Sequence, residues 1–179
     1  MTTPYVDPQT VHNPGPTLSP PASWGDTVRD GLEFCSKRPG AILDRATSQS
    51  ITNGTTLVPI AFGTGTTLRD TDTYHNESTN NTRVVIPTGF GGWYRVDAFV
   101  RFAANGTGYR DLAVRIGGST VVPHSIAKVA PISGQDAFAS TTALVQLNAN
   151  DYVEMCVAQT SGAALNATRS TFAVTLEVL

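Results

Sequence analysis

The sequence predicts an all-β sandwich preceded by an extended N-terminal arm and one short α-helix. Three observations lead there. Pro4, Pro8, Pro14, Pro16, Pro20 and Pro21 crowd the start of the chain. Apolar residues recur at helical spacing only between Trp24 and Cys35. From residue 41 onward the period is two, in short segments broken by Gly, Asn, Asp and Pro clusters;.

The arm covers residues 1–22. Proline fixes φ and removes backbone donors, so this stretch forms neither a helix nor a central strand. It is poor in apolar residues and gains order only on another surface. The helix begins at Ser23, whose Ser-x-x-Asp pattern with Asp26 resembles a capping box;. Asp26 places negative charge at the positive end of the helix. Trp24, Val28, Leu32 and Cys35 then share one face, with Phe34 beside it, and Pro39-Gly40 stop the helix after Lys37 and Arg38;. Four turns are too few to stand alone, so the stripe must pack on something.

The strand signals follow in order. Thr56–Phe62 is one, and Arg83–Ile86 is another, closed by Pro87-Thr88-Gly89. Trp93–Phe102 is the clearest. Tyr94, Val96, Ala98, Val100 and Phe102 form one face; Trp93, Arg95, Asp97, Phe99 and Arg101 form the other;. Asn105-Gly106-Thr107-Gly108 turns the chain into Arg110–Ile116, with Leu112, Val114 and Ile116 inward, and Gly117-Gly118 turns it again into Thr120–Val122;. Ala143, Val145 and Leu147 alternate next, then Val153, Met155 and Val157 beyond the loop Asn148–Asp151. Phe172, Val174, Leu176 and Val178 close the chain as a strand expected to be central. Clean alternation gives each sheet one packed face. The domain boundary falls at residue 40, with 1–40 as arm plus helix and 41–179 as the β domain.

Composition narrows the function. The chain has 179 residues, 40% hydrophobic and 15% charged, with a net charge of −2. That core suffices for one domain, and the charge balance offers no long-range attraction to nucleic acid or an anionic membrane. No apolar run is long enough to span a bilayer, and Met1-Thr2-Thr3-Pro4-Tyr5 carries no secretory signal;. The expected site of synthesis is therefore a cytoplasm. Cys35 and Cys156 lack CxxC spacing and read as two buried thiols;.

Chemistry-bearing patterns are sparse. His12, His75 and His124 form no metal-ligand spacing;. Asp70, Asp72, His75 and Glu77 share a polar loop, but the EF-hand glycine and closing glutamate are missing, so a solvated loop is the default over calcium;. Gly63-Thr64-Gly65-Thr66-Thr67 lacks the P-loop lysine and reads as a turn;. No Gly-x-Ser-x-Gly occurs;. Sequons at Asn53, Asn76, Asn80, Asn105 and Asn166 are expected by chance in an Asn- and Thr-rich chain. The expectation is no enzyme, no metal and no cofactor.

Residues 56–179 resemble the C1q/TNF-like jelly-roll superfamily. The resemblance rests on the order of Pro59-Ile60-Ala61-Phe62, Tyr74-His75-Asn76, Val84-Val85-Ile86-Pro87 and Gly92-Trp93-Tyr94-Arg95-Val96. It continues through Val145–Val153, where Asn150 stands in place of the usual glycine, then Ser161-Gly162 and Ser170–Val174. It implies a jelly-roll sandwich and a homotrimer. Trp93 and Phe99, with Arg95, Asp97 and Arg101 between them, are then the expected trimer interface. The alternative is that loops of the same chain cover those aromatics.

The leader, Pro4-Tyr5-Val6-Asp7-Pro8 followed by Pro21–Asp30 and Leu32-Glu33-Phe34, resembles that of virion proteins of phages infecting actinobacteria. This implies a capsid decoration or minor capsid protein, anchored to the major capsid protein or another virion protein through Tyr5, Trp24, Val28, Leu32 and Phe34. The alternative is a tail-fibre or receptor-binding protein whose loops, with Tyr74, His75 and Tyr109, present a ligand site. Either way the expected location is the virion.

Overall fold

The computed structural model describes residues 28–29, 31–32 and 37–178. The chain divides into two compact units, 1–37 and 38–179. In the first, Val28, Arg29, Gly31 and Leu32 are helical, within the expected helix. Tyr5, Trp24, Phe34 and Cys35 lie outside the described residues.

The second unit is a jelly-roll sandwich of two antiparallel sheets. The first sheet has the order β10-β6-β12-β1-β4, built from Ala137–Leu147, Gly92–Phe102, Leu165–Val178, Gly40–Arg45 and Thr67–Asp70; β2, Gln49–Ile51, also pairs with β12. The second has the order β3-β11-β7-β8, built from Gly54–Pro59, Tyr152–Gln159, Arg110–Ile116 and Thr120–Val121. Within it β5, Val84–Val85, pairs with β11, and β9, Ala127–Val129, pairs with β7.

The long alternating segments form strands as their period requires. On β6, Tyr94, Val96, Ala98, Val100 and Phe102 are all buried. The final strand is central: β12 pairs with β6 along one edge and with β1 along the other. Its Phe172 ring stacks on Phe62 at 6.1 Å, and Val174 and Leu176 have no solvent contact. Leu112, Val114, Val153, Met155 and Val157 face them from the second sheet. Burying one such aliphatic or aromatic side chain stabilises by about 1.5–3 kcal/mol, so the core rests on many contributions of this size.

Four strands were not read from the sequence: β1, β2, β4 and β9. β1 carries Asp44 and Arg45 and has few alternating apolar residues, but β12 and β4 both pair with it. It lies so close to β12 that a Cβ on Gly40 would stand 2.1 Å from the Val174 carbonyl oxygen, so only glycine fits. Elsewhere boundaries moved. β3 starts at Gly54 and ends at Pro59, and Ile60 and Phe62 continue as buried loop residues. β10 starts at Ala137, six residues before the first expected position.

Asn150 explains its own place in the sequence. It adopts φ +70, the left-handed region where Gly and Asn are favoured;. Asp151 closes the same turn by accepting the Asn148 N–H at 2.7 Å.

Candidate functional site

The outward face of the first sheet gathers the residues singled out on β6. Strand register places them in rows. Arg101 lies opposite Phe138, Phe99 opposite Ser140 and Thr171, and Asp97 opposite Thr142 and Ala173. Arg95 lies opposite Leu144 and Thr175, and Trp93 opposite Gln146 and Val178. Phe99 and Phe138 meet at 6.2 Å between ring centroids, and the Arg101 guanidinium lies over Phe138 at 5.9 Å.

This face is apolar at both ends and small in the middle. Trp93 is 44% exposed, Phe138 55%, Leu144 52% and Val178 58%. Thr171, Ala173 and Thr175 lie between these ends on β12, and the middle row of Asp97, Thr142 and Ala173 is the smallest. A hollow of about 250 Å³ lined by Val129, Ile132, Asp136 and Phe138 adjoins one end. Four large apolar side chains on this face are thus left in contact with water.

The charges on the face are already paired inside the chain rather than left for a neighbour. Arg95 Nε donates to Asp97 at 3.0 Å, and the Thr142 hydroxyl donates to the other Asp97 oxygen at 2.7 Å. Arg101 donates to Asp136 at 2.6 Å, Arg169 to Asp44 at 2.9 Å, and Arg38 pairs with Glu177. Exposed pairs of this kind add little stability. Their effect here is to leave the face nearly neutral.

Phe138 and Leu144 were missed from the sequence. The first half of β10 reads Ala-Phe-Ala-Ser-Thr-Thr, and its inward positions are the small Ala137 and Ala139. Its one large apolar residue therefore faces out, which inverts the usual phase of a strand.

The polar loop between β4 and β5 is a self-capped turn. Glu77 accepts the N–H groups of Gly65, Thr66 and Thr67 at 2.9, 3.1 and 2.9 Å. Those donors, Gly65 first, hold its carboxyl down at about 2;. Asp70 accepts the N–H groups of Tyr74 and His75 at 2.9 and 3.0 Å. The ring nitrogens of His75 sit 2.8 Å from the carbonyl oxygens of Arg83 and Phe62. Two of the four candidate calcium ligands thus already bind backbone N–H groups. Among the described residues no cluster of three His, Cys, Asp or Glu side chains is placed to hold a metal.

Tyr74 and His75 do not present a ligand surface, contrary to the sequence expectation. Tyr74 is fully buried, its hydroxyl 3.0 Å from that of Tyr94, and burial raises its pKa. His75 is buried against Phe62. Tyr109 is only partly exposed, with the Lys128 ammonium 3.8 Å from its ring centroid.

The outward face of the second sheet is different in kind. Ala113, Cys156 and Ala158 make a floor of small buried residues, and burial pushes the Cys156 thiol up to about 12, leaving it inert;. A shallow groove of about 290 Å³ is lined by Thr55, Leu57, Asp111, Ala113, Val121, Ile126 and Lys128. Nearby, buried Glu154 accepts from Thr82 at 2.8 Å and Arg115 at 2.9 Å. Among the described residues no helix is long and apolar enough to cross a membrane.

These sheets and their order define an all-β jelly-roll sandwich of the C1q-like kind. Among solved structures the chain is similar to the globular domain of zebrafish complement 1qA protein, with TM-score 0.54 and 13% identity over 78% of this chain and 97% of that one. It is also similar to the PRD1 vertex protein P5, with TM-score 0.56 and 18% identity over 77% of this chain and 96% of that one. At such identities the likeness establishes the fold. No protein-family model matches the chain, and no curated protein matches it in sequence.

Proposed function

We propose that the protein is a non-enzymatic structural component of a phage particle, a capsid decoration or minor capsid protein of an actinobacterial phage. It assembles as a homotrimer through the outward face of the first sheet. Residues 1–40 attach it to the major capsid protein or another virion protein, with Tyr5, Trp24, Val28, Leu32 and Phe34 as anchors. The observation that carries this reading is the first-sheet face. It is apolar at both ends, small in the middle, and internally charge-paired, which suits burial against identical copies;. The similarity to a protein described as a phage vertex protein supports a virion location. The mechanism is mechanical: trimers bridge neighbouring shell subunits and add binding free energy there.

Two measurements test it. Light scattering on the purified protein should give three chains per particle, and a mass-based copy count on virions should give hundreds of copies on the head. Protein lacking residues 1–40 should still form trimers but no longer bind particles. A stable monomer refutes the interface, and decoration by the truncated protein refutes the anchor.

One observation favours a second reading, a tail-fibre or receptor-binding protein. The groove between Leu57 and Ile126 lies on the sheet facing away from the proposed interface, where three copies would be free to bind a ligand. A few copies at the tail, rather than hundreds on the head, would select it.

A further inference from the structure

The chain holds two Asn-Gly pairs, Asn53-Gly54 and Asn105-Gly106. Asparagine before glycine is open to attack by its own backbone: the next amide nitrogen reaches the side-chain carbon, and glycine has no Cβ to obstruct it. The fold treats the two pairs differently. Asn53 turns away from its own backbone. Its Oδ1 accepts the N–H of Gly162 at 2.8 Å on a distant loop, and Gly54 opens β3 in register with Gln159.

Asn105 curls back instead. Its Oδ1 accepts the N–H of Thr107 at 2.8 Å. That bond makes an Asx turn, which folds the side chain over the Gly106 peptide. The Thr107 donor also draws electron density from the Cγ carbonyl, as an oxyanion-hole donor does. Gly106 is exposed, and a Cβ there would stand 3.0 Å from Ser133, so packing favours glycine.

Arg110 acts on the other reactant. It is fully buried at the start of β7, and its Nη2 donates to the Asn105 carbonyl at 2.9 Å. That oxygen belongs to the same peptide group as the Gly106 nitrogen. A cation held on it stabilises the negative charge left when the Gly106 proton departs. The other acceptors of the guanidinium are the carbonyls of Thr107 and Tyr109, and among the described residues no carboxylate pairs with it.

We propose that Asn105 is a self-modification site, which converts without an enzyme to a β-aspartyl (isoaspartyl) residue. The Gly106 nitrogen gives up its proton and bonds to Asn105 Cγ. The Cγ–Nδ2 bond breaks, and the amide group leaves with that proton as ammonia. A cyclic succinimide remains. Water then adds to the Asn105 main-chain carbonyl carbon and breaks its bond to the Gly106 nitrogen, which regains a proton. The chain now runs through Cγ, and the former main-chain carbonyl is a free carboxylate, its acid proton lost to solvent. Arg110 polarises that carbonyl in the ring, which directs water there rather than to Cγ. The product sets a full negative charge against a buried cation that held only carbonyls before.

The test uses the intact protein, aged at mildly alkaline pH in native buffer and in guanidinium chloride. Peptide mass mapping with electron-transfer fragmentation separates aspartyl from β-aspartyl products, and Asn53 serves as the internal control. In native buffer Asn105 is expected to convert at least about tenfold faster than Asn53, chiefly to the β-aspartyl form. In guanidinium chloride the two rates should converge, because only the fold distinguishes them. Arg110→Met should slow Asn105 and leave Asn53 unchanged. Should that variant fail to fold, the native and denatured comparison decides on the wild type alone. Equal native rates at the two sites, a preference for Asn105 that survives denaturation, or an unchanged Asn105 rate in folded Arg110→Met overturns the proposal.

Discussion

Replacing Phe138 by Ser should separate folding from assembly. The ring is 55% exposed in the single chain, so roughly half of its apolar surface remains to be removed from water by a neighbour. Full burial of a Phe side chain is worth about 1.5–3 kcal/mol, so burial of that remainder is worth ~0.8–1.7 kcal/mol per subunit. A trimer contains the contact three times, for ~2.5–5 kcal/mol, and the association constant should fall between about 60-fold and about 4,000-fold. The contact with Phe99 at 6.2 Å adds to this where the ring pair closes against the next copy;. The folded monomer should lose little, because surface substitutions usually change stability by less than ~0.5 kcal/mol. Sedimentation equilibrium over a range of concentrations reads the first quantity, and urea unfolding of dilute protein reads the second. An unchanged trimer constant would show that this face is not the interface. A large loss of monomer stability would show instead that Phe138 belongs to the core.

Other expectations follow from the same geometry. Phe172→Ala removes a fully buried ring from the central strand and its stacking partner Phe62, and should cost ~3–5 kcal/mol in urea unfolding;. A cost under about 1 kcal/mol would contradict the packing described. Trimer association should vary little between about 0.05 M and about 0.5 M salt, because the interface charges are paired within each chain;. A steep salt slope in sedimentation would mean that charges pair between chains. Glu77 has a folded pKa of about 2 against 4.5 ordinarily, so its contribution is fully present above pH 4.5 and is lost as the pH falls toward 2;. Glu77→Gln should therefore be less stable than the wild type at neutral pH and converge with it near pH 2. Parallel urea midpoints across that range would remove the three-donor cap from the account.

How much was legible in advance varied from strand to strand. The faces of β6 were assigned correctly because side-chain direction alternates strictly along a strand, whatever the strand pairs with. Glycine turn chemistry placed the β7–β8 turn at Gly117-Gly118, whereas the left-handed backbone of Asn150 emerged only from the structure. Alternation failed at β1 and β4, which hold few apolar residues: β1 is a strand because β12 lies alongside, and β4 because β1 does. The proposed interface was half legible. Trp93 and Phe99 stood out as aromatics opposite a core face, whereas Phe138 did not, because Ala137 and Ala139 behind it carry no hydrophobic signal.

The sequence by itself determined the class of fold, the location of its principal strands and which side of β6 turns away from the core. All of these follow from periodicity and local turn chemistry, which act over a few residues. Tertiary structure alone decided the rest. Asp44 finds Arg169 across 125 positions of chain, and Glu154 becomes buried between Thr82 and Arg115. Arg110 ends as a cation inside the core, and Tyr74 and His75 turn inward rather than toward a ligand. Such outcomes depend on which distant segments are brought together, and a pattern of period two carries no information about its partner.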